Sequence, residues 1–175
     1  MIIRATNKIL NIARIEPVKN ESIILSSLPG EWYASLLSTG REVGLAIHFL
    51  HNPTMMTVVT MGKSLNRAIK ELPTRATSLL MRNGYTELVP HFKLGTMPEI
   101  YSTNSRSILA NMNQIKFSLE YSFALSDGFE EVDIARIEDT YLTYLVGGKI
   151  AKGKYISPVE ILKELLEKQA AANTQ

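Results

Sequence analysis

Three apolar, β-branched runs close together in sequence, residues 32–37, 42–50 and 55–61, do most to narrow what this chain can become. Short turn-forming stretches, Ser38-Thr39-Gly40-Arg41 and Asn52-Pro53-Thr54, separate them, so the three read as an antiparallel meander. In the middle run Val43, Leu45, Ile47 and Phe49 share one face and Gly44, Ala46, His48 and Leu50 the other, which is the period of two of a strand. Leu28-Pro29-Gly30 announces the meander, because proline presets φ and glycine tolerates the positive φ of a tight turn. Two shorter strands are expected at residues 2–5 and 99–103.

Helical spacing fills the rest of the chain. Thr6 supplies a hydroxyl able to cap a helix carrying Ile9, Leu10 and Ile12. Ser64 opens a second helix with Leu65, Ala68, Ile69 and Leu72 on one face; Pro73 is expected to interrupt it, and a further piece resumes through Ala76, Leu79 and Leu80 to a stop at Asn83-Gly84. Residues 89–98 read as a loop. A polar turn then leads into a helix with Ile108, Met112, Ile115 and Leu119 on one face, ended by Ser126-Asp127-Gly128. The next helix carries Ile134, Ile137, Tyr141 and Tyr144 and stops at Gly147-Gly148, before a basic connector over 149–154. Ser157-Pro158-Val159-Glu160 has the form of a capping box and starts a last helix with an apolar face of Val159, Leu162, Leu165 and Leu166.

These elements define an α+β chain: a small antiparallel sheet, helices packed on one face and a helical C-terminal extension. Residues 1–123 are expected to form the core domain, with 124–175 packed on it or on a partner. The face of the last helix is expected to support a homodimer if the body leaves it uncovered. The 175 residues hold no cysteine, which excludes disulfides, thiol nucleophiles and cysteine-based metal sites and fits a reducing cytoplasm. The chain starts without a long apolar segment, and no apolar run approaches the roughly 18 residues of a membrane span, so a cytoplasmic protein without membrane contact is expected.

Charge is unevenly distributed. Residues 1–119 carry 13 bases and 7 acids, hence +6, whereas 120–175 carry 6 bases and 10 acids, hence −4. Either the first part meets an anionic partner or the acidic helices pack beside a basic body. Lys63, Arg67 and Lys70 fall within a narrow arc of the second helix, opposite its apolar face, and Arg75 and Arg82 follow; this basic segment is the candidate surface for nucleic acid or an acidic protein. At the polar turn, Thr103, Asn104, Ser105, Arg106 and Ser107 form a candidate anion site, where a hydroxyl caps the helix and free backbone N–H groups lie beside a guanidinium. Thr6-Asn7 before Ile9-Leu10 and Thr103-Asn104 before Ile108-Leu109 are similar junctions.

Other chemistry finds little support. In a strand, His48 and His51 point to opposite faces and cannot share a metal ion, so no metal or cofactor site is read. Gly62-Lys63-Ser64 matches only the second half of a phosphate-binding P-loop, since Thr57 stands where the first glycine is needed. No serine carries the context of a hydrolytic nucleophile.

Three places together resemble a family of uncharacterised bacterial proteins, a domain of unknown function found in plasmid- and mobile-element-associated reading frames. They are Ile3-Arg4-Ala5-Thr6-Asn7-Lys8-Ile9-Leu10, Trp32-Tyr33-Ala34-Ser35-Leu36, and Thr103-Asn104-Ser105-Arg106-Ser107 with Met112-Asn113. The resemblance covers residues 1–123, carries no established activity, and directs attention to Thr6, Lys8, Trp32, Arg106, Ser107, Met112 and Asn113. Two functions are therefore expected in order. The first is a non-enzymatic binding or accessory protein, antitoxin-like or regulatory, that contacts nucleic acid or a protein through its basic surface. The second is an enzyme acting on a phosphorylated or nucleotide substrate at the Arg106 junction.

Overall fold

A computed structural model describes residues 1–19, 25, 27–40, 44–124, 133–147 and 155–172. The first residues of the second meander run, the Ser126-Asp127-Gly128 stop and the 149–154 connector lie outside the described residues. The elements are β1 (Ile2–Ala5), α1 (Asn7–Ala13), β2 (Glu31–Ser38), β3 (Leu45–Asn52), β4 (Thr57–Met61), α2 (Leu65–Arg82), a 3₁₀ segment (Thr86–Phe92), β5 (Glu99–Ser102), α3 (Arg106–Ala124), α4 (Ile134–Leu142) and α5 (Pro158–Ala172).

The α+β class expected from the sequence is the class observed. The meander is present as β2–β3–β4, antiparallel throughout, with Ala34 opposite Phe49 and Phe49 opposite Val58. The sheet as a whole is mixed, however: in the order β4-β3-β2-β1-β5, strand β1 pairs parallel with both β2 and β5. Helices cover both faces, not one, because the strands bury side chains on both. Ile3, Ala5, Trp32, Ala34, Ile47, Phe49 and Val58 meet α1, α2, the 3₁₀ segment and α5. Tyr33, Leu37, Ala46, Leu50 and Val59 meet α3 and α4. Strands buried on both sides read as nearly continuous apolar runs, as 45–50 and 55–59 do.

Two local expectations are corrected. Pro73 does not break α2, which continues to Arg82; apolar residues on both sides of it, Leu72 before and Ala76, Leu79 and Leu80 after, are buried on the same face, and that packing outweighs the one backbone hydrogen bond a proline removes. The start of the expected loop, residues 89–92, belongs to the 3₁₀ segment, which places Leu88 and Phe92 in the core. The capping box forms as its sequence implies: the Ser157 N–H donates to Glu160 Oε2 at 2.7 Å and the Glu160 N–H to Ser157 Oγ at 3.4 Å. The Ser157 N–H and the Ser157 hydroxyl, which donates to the same Oε2 at 2.8 Å, hold the Glu160 carboxyl below its ordinary value. From there α5 folds back on the same chain, with Leu162 buried and Val159, Leu165 and Leu166 partly buried against the core.

Candidate nucleic-acid interface

Strand direction gathers the candidate residues. β1, β2, β4 and β5 run one way and β3 alone runs the other, so the carboxyl ends of β1, β4 and β5 face the same side of the sheet. Helices α1, α3 and α2 begin there, each within a few residues of its strand. Ala5 pairs with Ser102, which sets the two similar junctions, Thr6-Asn7-Lys8 and Thr103-Asn104-Ser105-Arg106-Ser107, side by side at the ends of adjacent parallel strands. From there α1 packs on one face of the sheet and α3 on the other. Where helices leave neighbouring parallel strands to opposite faces, a crevice opens at the carboxyl ends, the usual ligand position in sheets of this kind.

The junctions differ in how their side chains are used. Ser105, largely buried, accepts from the Ile108 N–H at 3.4 Å and lies 3.2 Å from the Ser107 hydroxyl, so it caps α3. Thr6 occupies the equivalent position of α1, but its side chain makes no capping bond, contrary to expectation; its backbone N–H is instead held by the Ala34 carbonyl at 3.0 Å. Asn104 accepts from the Tyr33 hydroxyl at 2.8 Å, which ties the α3 junction to the sheet. Lys8 and Arg106 are exposed, and among the described residues neither has a carboxylate partner.

Beneath the junctions lies a buried ion pair absent from the sequence reading. Arg4 of β1, 1% exposed, donates from Nε to Glu31 Oε2 at 2.7 Å and from Nη2 to Oε1 at 2.9 Å, while Nη1 reaches the Ser102 carbonyl at 3.3 Å. The fork-to-fork geometry satisfies both groups and links β1, β2 and β5. Burial, with the Glu31 carboxylate close by, pushes the Tyr33 hydroxyl above its ordinary value, so it remains a donor to Asn104. The Arg4 guanidinium also sits 5.5 Å from the centre of the Tyr101 ring. Arg4 and Glu31 flank apolar strand residues, and nothing local in the sequence announces that two charges 27 positions apart are partners.

The basic segment divides into two parts. Lys63, Arg67 and Lys70 are exposed near the start of α2, where Ser64 accepts from the Arg67 N–H at 3.4 Å as cap. Arg67 also makes an exposed ion pair with Glu71 at 2.7 Å, an arrangement that contributes little to stability. Arg75 and Arg82 are engaged inside the chain: Arg75 donates to Glu138 Oε1 at 2.8 Å, and Arg82 to Glu138 Oε2 at 3.1 Å and Asp139 Oδ1 at 2.7 Å. Glu138 is buried and also accepts from the Val59 N–H at 3.0 Å, so α4 closes the open edge of β4 with a side chain. Burial holds the Glu138 carboxyl above its ordinary range against the pull of Arg75, Val59 and Arg82. Part of the opposite charge of the two halves is thereby met within the molecule. A legible signal existed: Glu138 falls in the apolar stripe of α4, four residues after Ile134 and three before Tyr141.

The histidines are structural in their contacts. His48 and His51 both lie in β3 on opposite faces. His51 lies between Trp32 and Phe92, with ring centroids 4.7 and 4.8 Å away and planes tilted by 51° and 48°. Its Nε2 meets the Pro29 carbonyl at 2.9 Å and its Nδ1 the Thr54 hydroxyl at 2.8 Å; a carbonyl only accepts, so the proton resides on Nε2. Burial lowers His51 to about 4 and His48 to about 3. His91 bonds Gln169 of α5, away from Arg106.

Fold and site thus define an α+β domain with a mixed five-stranded sheet whose carboxyl-end rim carries helix starts and the exposed cations Lys8 and Arg106. The chain belongs to the family described as Domain of unknown function (DUF6933), which matches residues 2–161. The match extends past residue 123, where the resemblance read from sequence ended, and takes in α4 with its Glu138. No curated protein matches the chain.

Proposed function

We propose that this protein is a non-enzymatic binding protein that holds the phosphate backbone of a nucleic acid across the carboxyl-end rim of its sheet, and serves as an accessory factor of mobile DNA. One observation carries the reading: four strands share a direction, so Lys8, Lys63, Arg67 and Arg106 belong to a single rim although they lie up to 98 positions apart in sequence. From β4 to β5 the rim spans four strand spacings, about 19 Å, the length of roughly six nucleotides of one strand. Lys70 extends the track one turn along α2. The starts of α2 and α3 add backbone N–H groups that suit phosphate oxygens.

In this reading Arg75 and Arg82 brace α4 and do not contact the nucleic acid. The test is to purify the full-length protein natively at low salt, identify nucleic acid that travels with it, and repeat with Arg67→Glu/Lys70→Glu. The wild type is expected to retain nuclease-sensitive material that the variant loses while keeping its fold. A wild type free of nucleic acid, which also fails to take up added oligonucleotide at low salt, overturns the proposal.

A further inference from the structure

The solvent face of α3 has a composition that packing among the described residues does not explain. Ile108, Met112, Ile115, Leu119 and Phe123 point into the core, and at about 100° per residue the opposite side of the helix carries Arg106, Asn113, Gln114, Phe117 and Tyr121. Phe117 is 73% exposed and Tyr121 66% exposed, one helical turn apart. The acid of this helix, Glu120, is engaged elsewhere, accepting from the Ser38 N–H at 2.9 Å and lying 3.7 Å from Lys116 Nζ. Beside Gln114 a cleft of about 490 Å³ is walled by Tyr144, Leu145 and Tyr155, and Tyr155 is itself 73% exposed.

We infer that the outer face of α3 and this cleft form a platform on which unpaired bases of a single-stranded nucleic acid stack, with Arg106 holding the phosphate where the strand leaves the rim. The inference rests on the reading of the rim as a nucleic-acid site and narrows it to the single-stranded class. Exposed aromatic rings offer flat π surfaces to bases; in a duplex those base faces are already stacked, whereas in a single strand they are free. The Asn113 and Gln114 amides each present a donor and an acceptor to base edges. Arg106 and Tyr121 are 15 residues apart on one stripe, which corresponds to about 22 Å of helix. The Phe117 and Tyr121 positions lie about 6 Å apart along the axis, room for one base on each ring.

The experiment measures binding of a labelled single-stranded oligonucleotide and of its duplex to the full-length protein, to Phe117→Ala/Tyr121→Ala and to Arg67→Glu/Lys70→Glu, across a salt series. Both aromatic side chains are exposed, and circular dichroism verifies that the variant folds. The single strand is expected to bind tighter than the duplex, and the aromatic variant to bind it at least roughly 25-fold more weakly with an unchanged salt slope, since each stacked base is worth about five-fold or more. The charge variant is expected to reduce the salt slope instead. If the wild type binds in a salt-dependent manner but the aromatic variant binds equally well, or the duplex binds as tightly as the single strand, the stacking platform fails while the rim reading stands. If the wild type binds neither, both fail. Loss of a self-associated species on Phe117→Ala/Tyr121→Ala, with nucleic-acid binding unaltered, assigns the face to a second copy of the chain and overturns the inference.

Discussion

Acid should weaken this fold through two side chains that a surface view would miss. His48 and His51 are fully buried, and burial lowers them from 6.5 to about 3 and about 4. Between those values and 6.5 the unfolded chain binds protons that the folded chain refuses, so stability is complete above pH 6.5 and is lost as the pH falls through this window. At pH 5 each unfolded histidine lies 1.5 units below its own value while the folded one stays neutral, which gives about 2 kcal/mol apiece and about 4 kcal/mol together. That is a large share of the roughly 5–15 kcal/mol that holds a domain of this size. Glu138 acts in the opposite sense, because its raised carboxyl takes up a proton more readily in the folded state, so a variant comparison is needed to isolate the histidines. His48 suits this purpose, as among the described residues its one polar contact is a weak 3.5 Å approach to the Thr57 hydroxyl and its Nδ1 has no partner. Urea unfolding at pH 7 and pH 5 is expected to show His48→Leu losing about 2 kcal/mol less than the wild type. Equal losses in the two proteins would refute the reasoning.

Three further perturbations test separate parts of the structure. Gly30→Ala places a methyl group at φ +69° and 2.2 Å from the Asn52 carbonyl oxygen, so the urea midpoint should fall by the equivalent of at least about 2 kcal/mol. Glu138→Ala strands Arg75 and the Val59 N–H, leaves Arg82 on Asp139, and should destabilise by about 3 kcal/mol, whereas Glu138→Gln keeps an acceptor for Val59 and should cost less; the reverse order in thermal melts would remove the edge-closing role of Glu138. Arg106→Ala should leave the melting temperature of the free protein nearly unchanged, within about 0.5 kcal/mol, but abolish stabilisation by millimolar phosphate; identical phosphate shifts in wild type and variant would leave the junction as a helix cap.

Local physics was legible in the chain and pairing across it was not. The meander, the Ser157 capping box and the Ser64 and Asn83-Gly84 ends of α2 follow from rotational freedom and hydrogen bonding within a few residues, and each is where the sequence put it. The four residues of β1 carry no sign that both neighbours run parallel, because that register is fixed by strands beginning 29 and 97 positions further on. For the same reason the resemblance between Thr6-Asn7 and Thr103-Asn104 reads as two ordinary caps until the sheet sets them adjacent. The basic segment shows the reverse error. Arg75 and Arg82 look solvent-directed beside Lys63, Arg67 and Lys70, but their acidic partners on α4, Glu138 and Asp139, lie 56 to 63 positions away and meet them only through the packing of α4 on β4. Pro73 is a local signal overruled by the buried face on either side of it.

The rim is tested most directly by measuring the affinity for a single-stranded oligonucleotide as salt is raised. With Lys8, Lys63, Arg67, Lys70 and Arg106 each meeting one phosphate, log K should fall linearly against log salt with a slope of about −3.5, and each cation reversed to glutamate should flatten that slope by about one contact. A slope near zero, or no binding at low salt, would contradict the account.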